Sequence, residues 1–322
     1  MDYLEKFKKN ILKESEEPEG LLKIKGFDFN KDLTVDKLIE SYRTTGHQAS
    51  ELVRAMDIIK EMRRQKCTIF LGYTSSMVSS GLRDIFRYLA EHKLVDVIVT
   101  TAGGIEEDII KCIGPFYLGE FKLSGRELRD KGINRIGSIL VPNDRYCKFE
   151  DFLIPVLDGF KEPVSPSELI DKLGEKIDNK ESIYYWTYKN KIPVFCPALT
   201  DGSIGDMVYS YLFKNPDFKI DIANDLKEIN EIAMTSKKTG VIILGAGMIK
   251  HHIINANLMR GGADYSVYVN TAQEFDGSDA GALPEEAVSW GKLKAGGKMI
   301  KVFGDTTIMF PLIVHECFKK EI

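Results

Sequence analysis

Two kinds of hydrophobic spacing alternate along most of the chain. From Cys67 the run CTIFLGY is continuously apolar and β-branched, the stretch from Leu82 to Glu91 spaces its apolar positions as one helix face, VDVIVTTAGG is again strand-like, and a helix follows from Glu106. Further apolar runs at Ile192–Cys196, Val241–Leu244, Tyr265–Val269 and Lys298–Phe303 bring the strands to six. Within each run the apolar residues continue instead of alternating with polar ones, so each strand is expected to be covered on both faces. The class that follows is α/β: an open, mostly parallel sheet with helices on both sides, which binds its ligands at the carboxyl ends of the strands.

Ahead of the sheet, Thr34 to Arg64 keeps a helical period through Leu38, Tyr42, Leu52, Met56 and Ile59, and Thr44-Thr45-Gly46 divides it into two helices. Earlier still, Leu4, Phe7, Ile11 and Leu12 form one apolar stripe, followed by the acidic run from Glu14 to Gly20. This predicts a detachable N-terminal helical arm over residues 1–32 and a single domain over 33–322. The segment from Gly119 to Lys180, with Pro142, Pro155, Pro163 and Pro166, reads as an irregular loop-helix excursion from that domain.

Composition narrows the class. Of 322 residues 43% are hydrophobic and 29% charged, the balance of a globular chain with a sizeable core. A net charge of -4 lacks the surplus of a nucleic-acid binder and suits a small cationic partner, although solubility alone would ask for as much. The cysteines Cys67, Cys112, Cys147, Cys196 and Cys317 are odd in number and free of CxxC pairing, so neither a disulfide framework nor a zinc site is expected. No run approaches the roughly 20 apolar residues of a membrane span, and the N-terminus lacks a signal-peptide core, which makes the cytoplasm the expected location.

The chemistry concentrates at predicted strand ends. Gly72-Tyr73-Thr74-Ser75-Ser76, Thr100-Thr101-Ala102-Gly103-Gly104 and Leu244-Gly245-Ala246-Gly247 are small-residue turns of the kind that lets backbone amides approach a diphosphate. Each alone is also what any tight strand-to-helix connection requires, and no GxGxxG is present; three together point to a dinucleotide. Beside them stand Glu106 and Glu107, Asp201 and Asp206, and Asp276, Asp279 and Glu286, which as a set suit a polycation and singly suit a solvated surface. His251 and His252 follow the third turn and project differently, so at most one faces a given site; without a third partner at metal spacing, acid-base or hydrogen-bonding work is favoured over a metal. In Glu286-Ala287-Val288-Ser289-Trp290-Gly291-Lys292 the lysine is either a solvated surface residue or, desolvated by its tryptophan, a free amine for imine chemistry.

The runs FLGYTSS, TTAGGIEEDIIKC, PVFCPALTDGSIGDM, HHIINANLMRGGADY, NTAQEFDGSDAGALPEEAVSWGK and KVFGDTTIMFPL together resemble the deoxyhypusine synthase family in order and spacing, from Leu33 to Phe318. That resemblance implies a Rossmann-like, mostly parallel sheet with flanking helices, assembled as a homotetramer, a dimer of dimers with active sites between chains. It implies NAD as cofactor, faced by Ser75, Ser76, Met77, Val78, Ser79, Thr101, Ala102, Gly103, Glu107, Asp201, Ala246, Thr271, Ala272, Asp305 and Thr306. Spermidine would be faced by Glu106, Glu107, Asp206, His251, Asn255, Gly277, Ser278, Asp279, Glu286, Trp290 and Lys292. The implied reaction moves the 4-aminobutyl group of spermidine to Lys292 as an imine and then to a lysine of the translation initiation factor 5A precursor. His251 is the implied proton acceptor or organiser, and no metal, nucleic acid or membrane takes part.

Three departures from the family pattern lie at or beside contact positions: Ser76 stands where asparagine is usual, Ala246 replaces a glycine, and Ala280 a serine. The amphipathic N-terminus resembles the arm that covers the active-site entrance in that family. Homospermidine synthase, which delivers the same group to putrescine, is the nearest alternative. A catalytically weak paralogue that activates a heterotetramer would typically lack the lysine, and a sirtuin-like deacylase would have no use for it.

Overall fold

The computed structural model describes residues 2–319. Its strands among these residues are β1 (Thr68–Tyr73), β2 (Val97–Thr100), β3 (Tyr117–Leu118), β4 (Ile133–Ile136), β5 (Ile139–Pro142), β6 (Val194–Phe195), β7 (Thr239–Leu244), β8 (Ala263–Asn270) and β9 (Leu293–Phe303). Six form one sheet in the order β6-β2-β1-β7-β8-β9, every pair parallel. The chain leaves β1 toward β2 and β6, returns to place β7 on the other side of β1, and continues outward to β8 and β9. Strand order therefore reverses between β1 and β7, where a parallel sheet opens a crevice for a ligand. The register brings Thr100, Tyr73, Leu244 and Val269 level across the sheet, so their following loops line up along one edge.

The two faces of β1 meet different halves of the core. Ile69, Leu71 and Tyr73 join the larger cluster with Phe86, Ile105, Ile109 and Phe310, while Phe70 packs with Ile243, Ile249 and Ile253. On that second face the helix Met248–Leu258 comes so close that a Cβ on Gly72 would lie 2.6 Å from Ile253 Cδ1. Glycine there seats the helix, and with it His251, over the crevice.

A buried ion pair fixes the opposite side. Arg83 Nε donates to Asp108 Oδ1 at 2.6 Å, and Asp108 also accepts from Ser182 Oγ at 2.5 Å and the Ile183 amide at 3.1 Å. Helices Leu82–Glu91, Ala102–Ile113 and Ile183–Asn190 are thereby tied together. Deleting one partner of such a pair strands a buried charge, typically at about 3–5 kcal/mol.

The α/β class, the six strands and the division of Thr34–Arg64 into Val35–Tyr42 and His47–Arg64 follow the sequence reading. Three features differ. The helix expected from Glu106 begins at Ala102, because Gly103 and Gly104 serve close packing instead of a turn: a Cβ on Gly104 would lie 2.2 Å from Thr100 Oγ1. Strand β9 is not covered on both faces; as an edge strand it leaves Ala295, Gly296 and Lys298 exposed. The excursion from Gly119 is more regular than expected, since β5 pairs antiparallel with β3 and β4. Two of its prolines mark boundaries: Pro142 ends β5, and Pro166 opens the helix Pro166–Ile177 behind a capping box of Ser165 and Glu168, whereas Pro155 lies inside the helix Asp144–Leu157.

At the N-terminus Tyr3–Ile11 is helical with Leu4, Phe7 and Ile11 exposed, and among the described residues the first buried one is Ile39. Among the described residues no helix is long and apolar enough to cross a membrane.

Candidate active site

One wall of the crevice rises from the ends of β1, β2 and β6. After β1 the chain enters the short helix Ser75–Ser79, whose first amide donates to Thr101 Oγ1 at 3.1 Å. Gly103 lies against it so closely that a Cβ would sit 2.8 Å from that of Ser75. Lys111 holds the far end, its ammonium donating to the carbonyls of Val78 at 2.7 Å and Ser80 at 2.8 Å. Behind this loop, Glu106 and Glu107 are only 5% and 6% exposed.

Glu107 accepts a short hydrogen bond from Ser79 Oγ. Burial pushes its carboxyl up to about 8, against the pull of that bond and of Lys111, and with a further push from Glu106. Glu106 is likewise raised, chiefly by burial and in part by Asp206, although it accepts from the Ile204 amide at 2.9 Å. Gly202 completes the cradle: a Cβ there would meet the Ala102 Cβ at 2.9 Å and Glu106 Oε2 at 3.0 Å. Two adjacent buried carboxyls, both raised by burial and Glu107 to about 8, form a place where an entering cation has the most to gain.

The other wall stands on β7, β8 and β9. His251 and Asn255 are one turn apart on Met248–Leu258, and Asn255 Nδ2 lies 3.2 Å from His251 Nδ1. The opposite ring nitrogen, Nε2, is 3.3 Å from Lys292 Nζ, which itself stands 5.5 Å from the Trp290 ring centre. His252 points elsewhere; its Nε2 is buried without a partner, and burial holds the ring down to about 4. Of the two settings open to Lys292, the solvated one is closer within one chain, because Trp290 is 66% exposed and Lys292 is only half-buried.

The expected residues therefore form two sets. Ser75, Ser79, Thr101, Gly103, Glu106 and Glu107 share the first wall, with Met77 and Val78 buried beneath them. His251, Asn255, Trp290 and Lys292 share the second. Among the described residues no hydrogen bond or ion pair joins the sets. Asp201, Asp206, Thr271, Gly277, Ser278 and Glu286 are exposed at the rim, as is Ser76, and Ala246 is half-buried. Asp305 caps the helix Thr306–Cys317 by accepting from the Thr307 amide at 2.8 Å, and buried Thr306 donates to the Val269 carbonyl at 3.3 Å. Among the described residues no group of His, Cys, Asp or Glu could hold a metal ion.

A profile described as deoxyhypusine synthase matches residues 37–317. The chain belongs to the deoxyhypusine synthase family. It is 50% identical to the deoxyhypusine synthase of Senecio vernalis over 98% of this chain and 94% of that one. It is 51% identical to the deoxyhypusine synthase of Arabidopsis thaliana over 96% of this chain and 93% of that one. Among solved structures, an Entamoeba histolytica protein assigned as a deoxyhypusine synthase superposes with a TM-score of 0.69 at 37% identity, covering 92% of this chain and 97% of that one. AgrE, solved as a ternary complex with ornithine and NAD+, reaches a TM-score of 0.55 at 13% identity over 86% of this chain and 34% of its own, a likeness of fold alone.

Sequence reasoning about this deoxyhypusine synthase family member passed over several residues that shape the site. Asn270 knits the strand ends, donating from Nδ2 to the Gly245 carbonyl at 3.1 Å and accepting from the Ala272 amide at 3.1 Å. Lys111, Lys250 and Lys301 each send an ammonium to backbone carbonyls of the site's loops. The signal was available for two of them: Lys301 interrupts the apolar run of a core-bound strand, and Lys250 follows Ile249 on a helix face that packs on the sheet.

Proposed function

We propose that this chain transfers the 4-aminobutyl group of spermidine, with NAD, through an imine on Lys292 to a lysine of the translation initiation factor 5A precursor, releasing 1,3-diaminopropane. The observation that carries the reading is the 3.3 Å approach of Lys292 Nζ to His251 Nε2, in a ring held from its other side by Asn255. A nucleophilic lysine must lose a proton before it attacks, and an imidazole nitrogen at hydrogen-bond distance is the group to take it.

The residues at the ends of β1 and β2 fit a dinucleotide. Gly103 and Gly202 leave no room for a side chain beside Ser75 and Glu106, so backbone lines the crevice there. When bound, NAD supplies a hydride acceptor for the carbon beside spermidine's secondary amine and returns the hydride to the final imine. Glu106 and Glu107 receive the cationic ligand, and Glu107 gives up its proton as the positive charge arrives. Lys292 forms a C–N bond to the oxidised carbon while the bond to 1,3-diaminopropane breaks, and the departing amine takes a proton. The amine of the acceptor lysine then displaces Lys292 by the same exchange. The reading includes a homotetramer, a dimer of dimers, with the active site between chains; the separation of the two walls within one chain and the exposed Tyr209, Phe213 and Trp290 support it. The free cysteines support a reducing, cytoplasmic setting.

The test is to incubate the purified chain with NAD, radiolabelled spermidine and borohydride, beside Lys292→Ala. Label trapped on the wild type alone is expected; no label on either would overturn the reading. Adding the acceptor protein or putrescine then separates deoxyhypusine from homospermidine as product.

A further inference from the structure

The loop over residues 271–283 contains neither helix nor strand and offers little apolar surface to the body of the protein, with Phe275 at its tip 87% exposed. It carries Gly277, Ser278 and Asp279, which the family resemblance sets against spermidine. Its own bonds are local: the Gly277 amide donates to the Glu274 carbonyl at 3.1 Å, and the Gly281 amide to the Ser278 carbonyl at 3.1 Å.

Two buried ammonium groups reach it from outside. Lys301, on β9 and 6% exposed, donates to the carbonyls of Ala272 at 2.8 Å and Gly281 at 2.5 Å, bridging the two stems of the loop. The stems touch there, since a Cβ on Gly281 would lie 1.6 Å from the Gln273 carbonyl oxygen. Lys250, 2% exposed, donates to the Asp279 carbonyl and stands 3.6 Å from Asp279 Oδ1. Its ammonium also lies 5.4 Å from the centre of the Tyr268 ring. Lys250 is the residue before His251 on the helix, so the loop tip and the ring that contacts Lys292 hang from adjacent positions.

Burial disfavours both charges, and each lysine also lowers its own tendency to ionise by proximity to another, Lys292 for Lys250 and Lys250 for Lys301. Such groups contribute little to a core that an apolar side chain of equal length would fill. What they supply is a set of directed bonds to three carbonyls of one loop.

We propose that Lys250 and Lys301 are positioning residues that hold the loop over 271–283 in its substrate-ready conformation and so set the affinity for the polyamine. The proposal rests on the function proposed above. A loop seated only part of the time lowers apparent affinity by the seated fraction, while the seated molecules react as before.

The experiment compares the full-length, NAD-saturated wild type with Lys301→Met and Lys250→Met, reading spermidine KM, kcat, NAD KM and hydrogen exchange of the loop peptide. Each variant is expected to raise the spermidine KM about tenfold, to leave kcat and the NAD KM within about threefold, and to speed exchange in the loop. Gly281→Ala, which forces the stems apart with both lysines in place, is expected to give the same pattern and carries the test if a methionine variant does not fold. An unchanged spermidine KM overturns the proposal, with or without faster exchange, as does an equal loss in kcat and both KM values. Borohydride trapping on the wild type separates the two ideas: no imine on Lys292 removes the proposed function, whereas a normal imine with an unmoved KM removes only the clamp.

Discussion

On the β1 and β2 side of the crevice two carboxyls are buried, while on the β7 to β9 side the proposed reacting groups stand open to water. Glu106 and Glu107 lie deep behind a loop fixed by Thr101, Gly103 and Lys111, whereas His251 is exposed and Lys292 half-buried beside an exposed tryptophan. The first wall would act through environment: burial raises both of its carboxyls, and a bound cation would draw their protons off. The second acts through geometry, a row of three side chains at hydrogen-bond distances that needs no burial to exist. The two walls should therefore respond differently to substitution and to pH, and each can be disturbed without the other.

The largest expected effect is on the open wall. Lys292→Ala removes the proposed nucleophile, so transfer should fall by about a thousandfold or more, yet stability should change by no more than about 0.5 kcal/mol, since the side chain is half-exposed and, among the described residues, the hydrogen-bond contact of its ammonium is to His251. Paired measurements of labelled product and urea midpoint check both halves. A large stability loss would mean that the open wall also carries the fold, and the contrast would collapse.

The buried wall should show its effect in stability against pH. Glu107 has a folded value of about 8 against 4.5 for a free carboxyl, so the native state favours its protonated form. Its contribution is fully present below about 4.5, declines as pH rises, and is gone above about 8. Glu107→Gln cannot ionise and keeps its neutral form throughout, so near pH 9 it should exceed the wild type in stability by roughly 5 kcal/mol, and near pH 4 the two should agree. Urea midpoints across that range would give converging curves; parallel curves would refute the account of this wall as a buried acid pair.

This contrast also explains what could be read in the sequence. The six strands were legible because each is a run of apolar residues with no polar interruption, a pattern that depends on local neighbours alone. Lys292, His251 and the TTAGG run stood out for the same reason, each lying in a short distinctive stretch. The start of the helix at Ala102 was not, because Gly103 and Gly104 look like a turn until Ser75 and Thr100 are known to press against them. Glu106 and Glu107 could not be told from surface acids, since their partners come from elsewhere in the chain: Ser79, on the short helix after β1, for Glu107, and the Ile204 amide, about a hundred residues on, for Glu106. Lys250 and Lys301 bond to carbonyls, which every residue possesses, so no side-chain pattern advertises their partners.

The smallest expected effect tests the geometry of the open wall. Asn255, which the family resemblance sets against spermidine, also lies against His251 and is placed to orient its ring. If its amide donates to Nδ1, the ring proton sits on Nε2 and points at the Lys292 amine; if the amide is turned, its carbonyl accepts from Nδ1–H and leaves Nε2 free to take a proton from the lysine. Asn255→Ala frees the ring to rotate and should lower kcat about tenfold, with stability and NAD affinity unchanged. Asn255→Asp can only accept, so it enforces the second arrangement. Should proton removal from Lys292 limit the rate, the aspartate variant will keep more activity than the alanine variant; should donation from Nε2 to the departing amine limit it, the aspartate variant will be the slower of the two. Equal rates in all three proteins would show that the ring needs no support from Asn255, leaving the helix backbone and the seat at Gly72 to place His251 unaided.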